Sequence, residues 1–209
     1  MIRTIPSKED FRKFIKSKGI NIEAYSTQVI GDDGNHVDLY SKMLEDRIIF
    51  LTSEVDSYSA NIIKSQLLYL NTISSEDISI YIDSPGGEVY TGLGVLDVMD
   101  FVKPDIQTVN IGLAASMAAV ILSYGTKGKR KSLKRSRTLI HQPLGYSGYS
   151  QASDLEINAK EIISLKEDLT KILADSTSQP FDKVKNDSDR DFWMNSKESL
   201  DYGLIDIIL

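Results

Sequence analysis

Apolar residues fall into short runs separated by charged or glycine-containing turns, and from about residue 45 the runs alternate between two periods. Arg47 to Thr52 (RIIFLT), Asp77 to Asp83 (DISIYID), Ile106 to Leu113 and Ser136 to Gln142 (SRTLIHQ) are β-branched or continuously apolar and predict strands. Between them, residues 54–72 place Ile62, Ile63, Leu67 and Leu70 at helical spacing. Residues 88–102 read as a helix ending before Pro104, and Ala114 to Tyr124 as a helix of small apolar residues. Repeated strand–helix–strand units predict an α/β class with parallel pairing and right-handed crossovers.

The longest helical pattern covers residues 151–176, where Leu155, Ile162, Leu165, Leu169 and Ile172 form a narrow seam suited to a helix-on-helix contact. Such a helix spans about 39 Å, more than one small core needs, so it is expected to project and pack on a partner copy. A helix over 180–187 and a strand over 204–209 close the chain. Residues 1–40 are the least regular. Ser7 to Asp10 has the form of a capping box before a short helix carrying Phe11, Phe14 and Ile15 and stopped by Gly19, and Gly31 to His36 reads as a turn.

The length of 209 residues suits one domain. Twenty-four Lys and Arg against 30 Asp and Glu leave a net charge of −6, which argues against a general nucleic-acid binder. The basic run Lys127, Lys129, Arg130, Lys131, Lys134, Arg135 and Arg137 lacks interleaved aromatics and reads as a solvated turn or an intersubunit charge contact. The absence of cysteine excludes disulfides, a thiol nucleophile and cysteine-held metal sites; two histidines exclude an HExxH helix. No apolar run reaches the roughly 18 residues of a membrane span, and the polar start lacks a signal-peptide core, so a cytoplasmic location is expected.

Four elements could carry chemistry. His141 ends an apolar strand before Gln142-Pro143, whereas His36 sits in a polar loop and reads as solvated. Ser116 lies where a strand meets a helix, beside first-turn N–H groups that have no internal partners; a plain N-cap serine is the bland alternative. Ser84-Pro85-Gly86-Gly87 offers backbone N–H groups at close range, as an oxyanion hole or any tight turn would. A Ser–His pair also needs an acid, and spacing does not choose among the aspartates that follow His141.

These segments together resemble the Clp protease proteolytic subunit family. The matching stretches, in the family order, are DRIIFLT (46–52), ISIYIDSPGG (78–87), GLAASMAA (112–119), SRTLIHQPLG (136–145), QASDLEI (151–157), DSDRDFWM (187–194) and YGLIDIIL (202–209). The resemblance implies an α/β fold of the ClpP/crotonase type, built of β-β-α units with a handle helix projecting at about 145–176, and one catalytic domain over 41–209 after an N-terminal segment, 1–40, that could form axial loops. It implies a serine endopeptidase with Ser116 as nucleophile, His141 as general base and Asp191 as acid, the oxyanion donors being the N–H groups of Gly87 and Met117, and no cofactor or metal.

It further implies self-association as two stacked heptameric rings, fed unfolded polypeptides by a hexameric AAA+ unfoldase of the ClpX, ClpA or ClpC type. Asp189 and Arg190 match the charged pair near the ring–ring contact; Tyr81, Phe101 and Leu209 match the cleft that receives the unfoldase. Asp83 stands where the family commonly has Asn. The competing readings are a non-catalytic structural subunit of a mixed barrel, whose paralogues lack triad residues, and a crotonase-like acyl-CoA enzyme, which would need neither the triad nor the handle.

Overall fold

The computed structural model describes residues 28–30, 35–145 and 151–209. The chain divides into two compact units, Met1–Asp46 and Arg47–Leu209. In the first, β1 (Gln28–Ile30) pairs antiparallel with β2 (His36–Asp38), and α1 (Leu39–Glu45) starts where the Asp38 carboxylate accepts from the Ser41 N–H at 2.9 Å. His36 is the exposed first residue of β2 rather than a loop residue. The capping box and short helix expected before Gly19 lie outside the described residues.

The second unit is α/β, as expected. β3 (Ile48–Leu51), β4 (Ile78–Ser84), β5 (Ile106–Ala115), β6 (Arg130–Ser132) and β9 (Ile207–Ile208) lie side by side, each pair parallel. Helices α2 (Ser57–Ile73), α3 (Val89–Phe101) and α4 (Met117–Tyr124) connect them. Burial alternates along β4: Ile78, Ile80 and Ile82 share one face and are inaccessible, whereas Ser79 and Tyr81 on the other face are half-buried and Asp83 is exposed. Asp56 caps α2 through a reciprocal bond with Ser59.

Strand β5 is longer than its neighbours and changes partner halfway. Its register against β4 jumps from Ile82↔Asn110 to Ser84↔Ala114, a bulge on the β5 side. Asp83 spans the bulge by accepting from the Leu113 N–H at 2.9 Å, and a Cβ on Gly112 would meet that carboxylate at 2.5 Å. Before the bulge β5 pairs with β6; after it, Leu113 to Ala115 pair with β7 (Arg137–Ile140). The bulge therefore aims the end of β5 away from the main sheet.

β7 pairs antiparallel with β8 (Phe192–Asn195), which departs from the all-parallel expectation. Two helices, α5 (Ala152–Thr177) and α6 (Phe181–Asp187), lie between β7 and β8, and the chain returns in the opposite direction. α7 (Ser196–Tyr202) then leads to β9. Of the seam, only Leu165 and Leu169 in the second half of α5 are buried, with Thr170 and Leu173 beside them; Ile162 and Ile172 are half-buried and residues 152–161 are exposed throughout. The first half of the helix thus carries Leu155 and Ile157 on an uncovered surface.

The basic run is solvated at Lys127, Lys134, Arg135 and Arg137, but not at its centre. Arg130 is 3% exposed, and its guanidinium grips Asp206 through two bonds of 2.6 and 2.8 Å while donating to the carbonyls of Ser123 and Ser176. Lys129 bridges Asp77 and Asp105 at 2.7 and 2.8 Å. Burial raises the Asp206 carboxyl, but the Arg130 bonds and charge and the Gly128 N–H outweigh it and hold the group below its ordinary 3.8.

Arg130→Met is expected to cost about 3–5 kcal/mol, because it strands a carboxylate and two carbonyls. Urea unfolding measures it. A carboxyl lowered in the folded state adds stability above its unfolded value and loses it as pH falls through the folded one. The stability gap between the parent and Asp206→Asn should therefore hold at pH well above the ordinary 3.8 and shrink as pH falls below it.

Candidate active site

Ser116 is the pivot between β5 and α4. Its N–H continues the β5–β7 ladder by donating to the Leu139 carbonyl at 2.9 Å, and its own carbonyl accepts the first bonds of α4, from Ala119 and Val120. The strand runs two residues further than the alanine-rich pattern suggests, so Ala114 and Ala115 are sheet and helix begins only at Met117. Switching direction in one residue puts Ser116 at φ 55°, ψ −126°, a conformation that costs a non-glycine residue of order 1–3 kcal/mol. Tight strand-to-helix turns of this kind push a side chain out of the surface.

The glycine turn sits directly against this pivot. A Cβ on Gly86 would meet the Ala115 carbonyl oxygen at 2.4 Å, Ser116 Cβ at 2.7 Å and the Met117 nitrogen at 2.9 Å. Only glycine fits there, and φ at Gly86 is +89°. The turn is fixed from behind. Ser84 Oγ donates to the Ser53 carbonyl at 2.6 Å and accepts from the Gly86 N–H at 3.1 Å; the Val55 N–H donates to the Gly86 carbonyl and the Glu88 N–H to the Val55 carbonyl, both at 2.8 Å. This pattern leaves the Gly87 N–H with no acceptor among the described residues, and the Met117 N–H, at the open start of α4, has none either.

Ser116, His141, Gly86 and Gly87 line one cavity of about 370 Å³. Pro85, Val89, Pro143 and Leu144 give it apolar walls, and Glu54 and Glu88 add two carboxylates. His141 leaves the end of β7. Its Nδ1 lies 2.6 Å from the Gln142 carbonyl, which only accepts, so Nδ1 is the donor and, in the neutral ring, Nε2 is the acceptor nitrogen.

Backbone register places Asp191 beside His141. Ile140 faces Phe192 in the β7–β8 ladder, so the next residues outward are His141 and Asp191. The Gln142 N–H donating to the Ser188 carbonyl at 2.6 Å holds the two segments together beyond the ladder. The side chains are not yet joined: among the described residues no hydrogen bond links Ser116 to His141 or His141 to Asp191, and Asp191 is exposed outside the cavity lining.

Asp189 lies on the same turn. Its carbonyl accepts from Gln142 Nε2 at 2.7 Å, and its carboxylate pairs with Lys166 of α5 at 3.3 Å. Arg190 is exposed and forms no ion pair among the described residues. Tyr81 stacks edge-on against Phe50, 5.7 Å between ring centres, while Phe101 and Leu209 are largely exposed. Residues 146–150 lie outside the described residues, but Gly145 packs so closely on α5 that a Cβ would meet Ile162 at 2.4 Å. Tyr90, in the first turn of α3, donates to Glu161 of α5 at 2.9 Å.

Sequence reasoning passed over Glu54 and Glu88. Their signal was present as acids one residue from Val55 and Gly87, but only the Val55↔Gly87 bridge brings those two segments together.

The chain matches the Clp protease family over residues 31–209. It is 48% identical over 196 residues to an ATP-dependent Clp protease proteolytic subunit of Bacteroides fragilis, covering 93% of this chain and 94% of that one. A proteolytic subunit from Porphyromonas gingivalis is 51% identical over 174 residues, covering 83% and 78%, and proteolytic subunit 2 of Parasynechococcus marenigrum is 54% identical over 173, covering 82% and 87%.

Proposed function

The chain belongs to the Clp protease family and is a Clp-type serine endopeptidase, and from that premise we propose that Ser116, His141 and Asp191 are its triad and the N–H groups of Gly87 and Met117 its oxyanion hole. The observation that carries this reading is the shared cavity: a half-buried elbow serine, a histidine whose Nδ1 is the donor to a carbonyl, and a glycine turn line one volume. His141 Nε2 takes the Ser116 proton as the hydroxyl attacks a peptide carbonyl, and returns it to the leaving amine. Gly87 and Met117 hold the oxyanion, at about 2.7–4 kcal/mol per donor. Water then releases the acyl-enzyme.

In this reading the protein forms the peptidase core of a barrel of two stacked heptameric rings, with the exposed half of α5 as the ring–ring handle and residues 1–40 as an N-terminal axial segment. A hexameric AAA+ unfoldase of the ClpX, ClpA or ClpC type docks at Tyr81, Phe101 and Leu209 and feeds it unfolded chains in the cytoplasm. Activity requires His141 Nδ1–H to exchange the Gln142 carbonyl for the Asp191 carboxylate. The turn that carries Asp191 is tied both to α5, through Asp189 and Lys166, and to the His141 segment, through Gln142. A contact made by Arg190 and Asp189 across rings therefore reaches the triad. Relatives named as proteolytic subunits do not favour the structural-subunit or acyl-CoA alternatives.

Arg190→Ala is expected to shift native mass from the double ring toward single rings and to lower fluorogenic peptide cleavage about tenfold or more. Both are read on the same sample. Full activity in dissociated single rings would sink the coupling between assembly and triad.

A further inference from the structure

We propose that the catalytic cavity selects peptides by charge, with Glu54 and Glu88 favouring a Lys or Arg within two residues of the scissile bond and disfavouring Asp or Glu there. The proposal rests on the reading of Ser116 as the nucleophile of this cavity.

The two carboxylates are held at the reacting centre by backbone. The bonds from Val55 N–H to Gly86 and from Glu88 N–H to Val55, both 2.8 Å, fasten their two segments to the glycine turn. Val55 buries its side chain at 1% exposure, and the adjacent residue of an extended segment points the other way, so Glu54 faces the cavity. Glu88 follows Gly87 directly, which sets its Cα about 3.8 Å from that of the oxyanion donor. A side chain one or two residues from the scissile carbonyl reaches it.

Neither carboxylate is neutralised. Glu54 has no side-chain hydrogen bond or ion pair among the described residues, and the only one at Glu88 comes from Thr91 Oγ1, a neutral donor, at 2.6 Å. Among the described residues no Lys or Arg lines the cavity. The remaining wall is apolar, from Pro85, Val89, Pro143 and Leu144. A substrate therefore meets an apolar surface rimmed by two acceptor-only anions. Lys and Arg match both parts, laying their methylene stems on the wall and their cations at the rim. An acidic side chain in the same place meets like charge. Both carboxylates are exposed, so each contributes a factor of a few and salt weakens it.

The test uses the assembled protein and internally quenched peptides of one sequence, with Lys, norleucine or Glu placed in turn at each of the two positions on either side of the cleaved bond. The expected kcat/KM order is Lys, norleucine, Glu at one or more positions, with a Lys-to-Glu ratio of about tenfold at low salt. That ratio should fall several-fold near 0.5 M salt and approach one in the E54Q/E88Q double variant, mainly through KM. The salt series on the parent protein gives the answer if the double variant fails to assemble. Ser116-dependent cleavage with equal rates for Lys and Glu peptides, or a ratio unmoved by salt and by the double substitution, overturns the proposal. Cleavage that survives Ser116→Ala instead overturns the assignment of the nucleophile.

Discussion

Replacing Ser116 with alanine is expected to lower kcat for peptide hydrolysis by about 10⁴-fold or more, leaving the residual rate that the oxyanion donors and binding alone supply. The fold should not notice. Alanine keeps a Cβ, so the φ of 55° is no harder for it to adopt than for serine, and the ladder bond from residue 116 to Leu139 is made by backbone. Native mass and thermal midpoint should therefore match the parent while hydrolysis of a fluorogenic peptide disappears. His141→Ala should lose activity to a similar degree, because a nucleophile and its base act as one unit and their losses do not add.

Gly86→Ala is expected to be nearly as damaging for a different reason. A Cβ at this position meets the Ala115 carbonyl, Ser116 Cβ and the Met117 nitrogen at 2.4–2.9 Å. All three belong to the backbone or its first carbon and cannot swing aside as a flexible side chain would. The φ of +89° adds strain of about 1–3 kcal/mol. Relief requires the turn to back away from β5 and α4, which moves the Gly87 N–H relative to the Met117 N–H. Loss of one oxyanion donor costs about 10²–10³ in kcat, and activity should fall at least that far.

Gly128→Ala is the control. It has a similar φ of +85° but open space around the new Cβ, so it should show a small fall in thermal midpoint and no change in peptide cleavage. Equal activity losses in the two variants would mean that strain alone, not the contact with Ser116, governs the effect.

The parts of this site that are local in the chain were legible in the sequence. The apolar strand Asp77 to Asp83 followed by Ser84-Pro85-Gly86-Gly87 is a strand with a turn on any reading, and β4 ends at Ser84. The small-residue segment around Ser116 marks a strand-to-helix junction, although alanine's helix preference put the expected boundary two residues before the observed one. The choice of Asp191 was different. It depends on the antiparallel pairing of β7 with β8, two four-residue strands separated by α5 and α6. Spacing does not reveal a pairing that distant, so only the family resemblance singled that aspartate out.

The centre of the basic run was missed for the same reason. Four of its seven cations are exposed as expected, but Arg130 is buried because Asp206, 76 residues away, arrives beside it. Asp83, by contrast, explains itself only through the bulge: a carboxylate there accepts the Leu113 N–H that the shifted register leaves unpaired.

The most direct measurement is peptide mapping of the assembled, peptide-cleaving particle after reaction with a fluorophosphonate. The phosphonate should be found on the peptide that contains Ser116, at one site per chain, with the extent of modification tracking the loss of cleavage. Modification at any other residue, or full loss of cleavage with an unmodified Ser116, would contradict the site described here.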